Sequence, residues 1–337
     1  MNSAPQPEDP RSSAPLHRMR PTFVVGPRPG GNDVRTDLIA GLSAKPAAIA
    51  PRFFYDDLGS RLFAAITALE EYYPTRTEAA LLQKHLPAIA AATGLRRPTF
   101  VDLGAGNCEK AAQLFATVQP GRYVAVDISA DFLRDSLDSL HRRFPELEMY
   151  AFATDFSERL VLPPVEPSER RLFFYPGSSI GNFTPADAIT FLRSLRDQMH
   201  DGALWIGVDL RKDPAMLLRA YDDDLGVTAA FNKNVLRHVN RLLDADFDVA
   251  DWRHVVRYDA DLHRIEMHLE AERDVTVTWH GGRRPFRRGE RIHTENSYKH
   301  TPDGFRELLA KAGLRTVGHW TDADGWFGFF VAAPMRA

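Results

Sequence analysis

The chain has 337 residues, 44% hydrophobic and 26% charged, a balance that supports one elaborated folded domain or two modest ones. Its 42 Lys and Arg stand against 45 Asp and Glu, and the net charge of -3 gives no field that would draw it to nucleic acid or an anionic membrane. The one cysteine, Cys108, excludes an intrachain disulfide and a multi-cysteine metal site and is consistent with a reducing cytoplasm; the charge balance favours a small-molecule partner, and with no evident oligomerisation element a monomer without metal is expected.

Residues 1–20 are rich in Pro, Ser and Arg and lack the apolar stretch of a secretory signal, so a disordered tail is expected there. Over residues 37–85 apolar side chains recur three and four apart (Leu38, Ile39 and Leu42, then Leu58, Leu62, Phe63 and Ile66), which predicts helices. Pro51 opens an aromatic loop running to Asp57, and a second aromatic knot from Glu71 leads to a helix start at Thr77. From Thr99 onward strand and helix signals alternate. Strands are predicted at residues 99–103, 123–127, 149–152, 171–175 and 203–210, with helices from Glu109, over 131–143 and over 185–199. Short apolar strands alternating with helices imply a parallel sheet covered on both faces.

Past Leu210 the rhythm changes. Helices within 216–223 and 227–243 lead to three polar-rich alternating stretches, 251–258, 264–271 and 274–280, of antiparallel character. A helix over 301–312, ended by Gly313, and a hairpin of 315–321 with 326–333 close the chain. The run Arg283, Arg284, Arg287, Arg288 and Arg291 has Gly and Pro neighbours and reads as a solvated hairpin tip. The expected fold is therefore α/β, with an insertion between the fifth and sixth strands of the sheet.

Gly104 and Gly106 follow the first central strand and open the next helix, where they allow a tight turn and close approach of a nucleoside. Glu109 stands where the dinucleotide fingerprint has its third glycine, and Asp102 would repel a phosphate, so a pyrophosphate at the helix N-terminus is disfavoured. Asp127, ending the second strand, is placed to accept from two ribose hydroxyls. Asp155 and Phe156, after the third, suit the exocyclic amine and the ring of adenine. Acidic residues at successive strand ends without a phosphate cradle fit a cationic sulfonium nucleoside, although any one Asp taken alone equally suits a helix cap. With Lys110, which ends the motif, these seven residues form the expected cofactor set. Cys108 reads as a turn residue, because nothing beside it depresses its pKa.

The runs Phe54-Tyr55-Asp56-Asp57-Leu58-Gly59-Ser60, Glu71-Tyr72-Tyr73-Pro74-Thr75-Arg76-Thr77-Glu78, Asp102-Leu103-Gly104-Ala105-Gly106, Pro176-Gly177-Ser178-Ser179-Ile180-Gly181-Asn182-Phe183 and His293-Thr294-Glu295-Asn296-Ser297-Tyr298-Lys299 span almost everything beyond the tail. Together they resemble the L-histidine α-N-methyltransferase family of ergothioneine biosynthesis. The resemblance implies an S-adenosylmethionine-dependent enzyme with a Rossmann-like class I methyltransferase sheet (77–211 and 302–337) and a second, α+β substrate-binding domain (21–76 and 212–301). It further implies that Asn182 and Tyr221 hold the substrate carboxylate, that Gly177 lies against the amine and that Tyr55 faces the methyl-accepting nitrogen. Glu295 and Ser297 would grip the imidazole, with Tyr72 and Met267 completing that pocket. An amide and a phenol can donate to a carboxylate, and Glu295 can accept a ring N–H while Ser297, two residues along the same strand face, serves the other nitrogen. Taken singly, the three tyrosines equally suit half-buried interface aromatics, and Met267, alternating with Ile265 and Leu269, suits core packing.

The implied reaction is trimethylation of the α-amine of histidine to its betaine, hercynine, as the first step of ergothioneine biosynthesis. An in-line displacement needs two aligned ligands and a deprotonated amine rather than a covalent nucleophile. The alternatives are an α-N-methyltransferase for tryptophan or a modified aromatic amino acid, which would want an apolar group in place of Glu295, and a nonenzymatic nucleoside-binding module on the same fold.

Overall fold

In the computed structural model, which describes residues 20–25, 31–156, 160, 162 and 169–335, the chain opens with β1 (Thr22–Val25), α1 (Gly31–Ser43), β2 (Ala47–Ala48), α2 (Asp57–Ile66) and α3 (Tyr73–Thr93). The tail expected over residues 1–20 lies outside the described residues except for Arg20. The central alternation follows as β3 (Thr99–Leu103), α4 (Glu109–Ala112), α5 (Phe115–Val118), β4 (Arg122–Asp127), α6 (Ala130–Arg143), β5 (Glu148–Ala153), β6 (Arg171–Tyr175), α7 (Pro185–Asp197) and β7 (Ala203–Asp209). Next come α8 (Pro214–Tyr221), α9 (Val227–Leu243), β8 (Trp252–Asp259), β9 (Arg264–Ala271), β10 (Val275–Trp279), β11 (Gly282–Phe286) and β12 (Arg291–Tyr298). The chain ends with α10 (Pro302–Lys311), β13 (Leu314–Thr321) and β14 (Phe327–Pro334).

The main sheet has the order β1-β5-β4-β3-β6-β7-β14-β13, parallel except that β14 runs antiparallel to both β7 and β13. Every residue of β3, β6 and β7 is buried, because apolar layers cover both faces. Phe191 and Leu195 of α7 and Leu309 of α10 lie on one side. Leu81 of α3, Phe115 of α5 and Leu137 of α6 lie on the other. The chain runs outward from β3 through β4 and β5 and then returns to β6 beside β3. That reversal opens a crevice at the carboxyl ends of the strands, where α/β sheets bind their ligands.

A second, four-stranded sheet, β2-β12-β9-β8, carries the insertion. The apolar stripe of α9 (Phe231, Val235, Leu236, Val239, Leu243) packs onto it with Leu38 of α1, Phe54 and Ile66, which forms a separate core around Trp252 and Leu269.

Three expectations change. The strand β1, assigned above to the substrate-binding part, pairs in parallel with β5 at the edge of the main sheet. There Phe23 packs against the sheet's core, with the Arg134 guanidinium over its ring. Helix α3 starts at Tyr73, four residues before Thr77, because Pro74 sits in its first turn, where a missing N–H costs nothing and the fixed φ favours the helix. The basic run is not a solvated tip throughout: Arg284 is buried in β11, donating to the carbonyls of Leu42 and Ala44 and to Glu290, while Arg283, Arg287 and Arg288 are exposed. No helix among the described residues is long and apolar enough to cross a membrane.

Because α9 joins the inserted sheet to the N-terminal helices, truncating its fully buried Leu236 to Ala should cost about 2–5 kcal/mol. A thermal melt lowered accordingly, with the cooperative transition retained, is the expected result.

Candidate functional site

The carboxyl ends of β3, β4 and β5 converge on the glycine turn. Gly104 and Gly106 adopt φ of +74° and +53°, a region where a Cβ is strained. The Gly106 N–H donates to Asp127 Oδ2 at 2.9 Å and the Ser129 N–H to Asp127 Oδ1 at 3.0 Å, which fixes that carboxylate at the end of β4. Burial raises the Asp127 carboxyl, and these backbone donors oppose the shift. The Phe156 ring lies 3.9 Å from where a Gly104 Cβ would stand, and it packs with Tyr175 and Phe191. Asp155 is paired with Arg52 from the turn before α2. A carboxylate at the second strand end and an aromatic ring over the glycine turn, with no basic phosphate cradle among the described residues, fit a sulfonium nucleoside. Asp102 sits deeper than expected, beneath the turn, where its carboxylate accepts from the Tyr123 hydroxyl at 2.8 Å; burial pushes its carboxyl to about 7. Cys108 caps α4 in the left-handed region, and burial pushes its thiol up, as befits a packing residue.

Lys110 reaches Glu78, a fully buried carboxylate on α3. The other Glu78 oxygen accepts from the Gly177 N–H at 2.9 Å. One side chain thus ties the helix after the glycine turn to the end of β6, and Gly207 makes room for it, since a Cβ there would stand 2.0 Å from Glu78 Oε1. Nothing in the motif that contains Glu78 marks it for this role.

Between the two sheets lies a narrow, partly open cavity of about 50 Å³. Its walls include all eight residues expected at the substrate site: Tyr55, Tyr72, Gly177, Asn182, Tyr221, Met267, Glu295 and Ser297. Phe63, Ile66, Ser178, Ser179, Ala220, Thr228 and Phe231 complete the lining and were not anticipated. For Phe63 the available signal was helical spacing, which reports burial and not the ligand side. Tyr55 meets Phe63 and Phe231 edge-on, each at 5.8 Å between centroids, and Tyr72 meets Phe63 and Tyr221, so one part of the cavity is an aromatic box. The Tyr55 loop is anchored by its neighbour Asp56, which caps α2 through the Gly59 N–H and accepts from Asn234 of α9. Burial first, then the nearby Glu295 carboxylate, raise the Tyr55 phenol well above its ordinary range, so it stays protonated.

Glu295 owes its position to an irregularity in β12. The register with β9 shifts between His293 and Glu295, so Thr294 is an extra residue in the ladder. Ile292 and Thr294 face inward before the bulge, Glu295 and Ser297 after it. Regular alternation would have placed Glu295 on the outer face with His293. Thr294 is pinned by its hydroxyl, which donates to Asn232 Oδ1 at 2.8 Å and lies 3.0 Å from the Met267 carbonyl. Asn296 lies on the outer face, bonded to His293, as the alternation beyond the bulge predicts. The buried Glu295 carboxylate accepts no hydrogen bond among the described residues, and burial pushes it to about 7 against the opposing charge of Lys299.

Behind Ser297 and Tyr221 lies a network that the sequence reading did not assign. Lys299, fully buried, contacts Asp209 at 2.8 Å, Ser297 Oγ at 2.8 Å and the Tyr221 hydroxyl at 3.1 Å. Asp209, at the end of β7, also takes the Tyr73 hydroxyl and Lys212. Burial alone would raise the Asp209 carboxyl, but the two ammonium groups hold it below its ordinary value. Lys212 is brought down to about 8 by burial, which its pairing with Asp209 offsets only partly.

Residues 34–334 match the family described as "Histidine-specific methyltransferase, SAM-dependent". The chain is 43% identical to a "Histidine N-alpha-methyltransferase" of Mycolicibacterium smegmatis, the match covering 89% of this chain and 94% of that protein. It is 40% identical to a protein of the same name from Mycobacterium tuberculosis, over 92% and 97% of the two chains. "Ergothioneine biosynthesis protein 1" of Neurospora crassa is 30% identical over 86% of this chain and 34% of that longer protein.

The raised Glu295 carboxyl has a stability consequence. A folded-state pKa of about 7 against an ordinary 4.5 means the folded protein holds the proton more tightly. Glu295 therefore imposes no penalty below about pH 4.5, and stability is lost as pH rises toward and through 7, by no more than about 3 kcal/mol. Without ligand, Glu295→Gln should melt higher than the parent at about pH 8 and no higher at about pH 4.5. Equal melting differences at both pH values would show that the carboxylate is solvated or paired.

Proposed function

The chain belongs to the family of histidine-specific, S-adenosylmethionine-dependent methyltransferases, and on that premise we propose that it trimethylates the α-amine of L-histidine to give hercynine at the first step of ergothioneine synthesis. The observation that carries this reading is the buried Glu295 carboxylate with no hydrogen-bond partner among the described residues, set beside the Ser297 hydroxyl in an aromatic box. Such a group is costly unless a ligand supplies an N–H, and a flat ring with a donor on one edge and an acceptor on the other supplies what the box lacks. A tryptophan side chain offers no second ring nitrogen to Ser297. The single buried cysteine suits a reducing compartment, and we place the enzyme in the cytoplasm.

Asp127, Asp155, Phe156, the Gly104–Gly106 turn and Lys110 would hold S-adenosylmethionine, which would supply an electrophilic methyl group. The chain's own residues align the amine. Asn182 and Tyr221 take the substrate carboxylate, and Glu295 with Ser297 fixes the ring, so the nitrogen between them is presented toward the strand ends. Gly177, at φ +76° and braced by Glu78, lets the backbone lie close to that nitrogen. The protonated Tyr55 phenol offers an oxygen lone pair to the positive charge that grows on nitrogen, and it needs no N–H in return. A site with so few obligatory N–H partners accommodates each added methyl in turn.

Mass spectrometry of histidine incubated with the enzyme and S-adenosylmethionine should show three successive methyl additions; absence of any addition would overturn the reading. Glu295→Ala should weaken histidine binding by about 1 to 3 kcal/mol, roughly 5- to 150-fold, with affinity for S-adenosylhomocysteine unchanged in calorimetry.

A further inference from the structure

Lys299 lies behind the substrate cavity and has no place in the mechanism above, yet its three N–H groups are all committed: to Asp209, to Ser297 Oγ and to the Tyr221 hydroxyl. A single hydroxyl proton lies on the 2.7 Å line between Tyr221 and Ser297, donated by Tyr221. With Tyr221 as the donor, Ser297 Oγ accepts from both Tyr221 and Lys299 and keeps its own proton for a ligand in the cavity. Were Tyr221 to turn its proton to a substrate carboxylate, Ser297 would still accept from Lys299 and still have a proton to give. Asp209, held by Lys299, Lys212 and Tyr73, keeps the ammonium from moving.

We propose that Lys299 is a positioning and specificity-determining residue, which fixes Ser297 as a donor opposite the Glu295 acceptor and so makes the pocket select a neutral imidazole with one N–H and one bare nitrogen. The proposal rests on the histidine reading. An imidazolium would set its second N–H against the Ser297 proton, with the Lys299 charge directly behind it. The charged or titratable groups facing Glu295 are Lys299 and the phenols of Tyr55, Tyr72 and Tyr221, all three of them held protonated by burial first. Lys299 is thus the positive charge that favours ionised Glu295, while the bound ring stays uncharged.

The test uses histidine labelled with 15N in its ring, bound to the full-length enzyme with S-adenosylhomocysteine so that no turnover occurs. At about pH 6, below the ordinary imidazole pKa of about 6.5, the wild-type complex should show one protonated and one bare ring nitrogen. In Lys299→Met, histidine should bind at least about tenfold more weakly and its ring should become doubly protonated or exchange between tautomers, with S-adenosylhomocysteine affinity unchanged. A doubly protonated ring in the wild type, or a wild-type spectrum and affinity in Lys299→Met, would overturn the proposal. If that variant gives no cooperative melt, the wild-type spectrum decides alone. A wild-type enzyme that neither binds nor methylates histidine would remove the histidine reading and this proposal with it, whereas either spectral failure with binding intact removes only this proposal.

Discussion

A buried carboxylate that lines the cavity with no donor among the described residues is the constraint around which the inserted sheet is organised. Left unpaired, such a group raises its pKa or draws in water, and either outcome weakens the fold. Glu295 is nevertheless turned inward by an extra residue in its strand, and that bulge is held by a side-chain bond between Thr294 and Asn232. Lys299 lowers the cost from behind without touching the carboxylate through a hydrogen bond. The site keeps an unfilled acceptor that a ligand can satisfy, which is how a buried polar group becomes a discriminator.

The two ligand regions are joined through few elements. Helix α3, capped by Tyr72 at the cavity, begins with Tyr73 at the Asp209 network, and five residues later it presents Glu78 to Lys110 and the Gly177 peptide. A single rigid helix therefore sets the distance between the cofactor turn and the ring pocket. Arg52, just ahead of α2, adds a second tie from the N-terminal helices to Asp155. In the proposed reaction, alignment of the two reactants would rest on these links more than on either sheet alone.

Much of the architecture was legible in the sequence. Strands at residues 99–103 and 171–175 and the helix over 227–243 match to the residue, because a wholly buried strand and a long amphipathic helix carry strong, unbroken patterns. The weaker signals misled. Four residues of β1 carry no periodicity beyond their own length, Pro74 looked like a loop residue when it opens a helix, and Arg284 is buried against the charge-based expectation because carbonyls at the end of α1 receive it. At the site, motif residues converge on one cavity, but the reason Glu295 faces it was not readable. A bulge is a disagreement in register between two strands, and neither strand records it alone. The partners Asp209 and Lys299 are likewise 90 residues apart and meet only when the inserted sheet docks beside β7.

The account stands on the ring being read by Glu295, and a crystal structure of the complex with histidine and S-adenosylhomocysteine addresses that directly. It should place one imidazole nitrogen within about 3 Å of the Glu295 carboxylate and the other on Ser297, with the α-nitrogen beneath the Tyr55 hydroxyl. A ring lying elsewhere in the box, with Glu295 turned outward or bridged to it by solvent, would contradict the account.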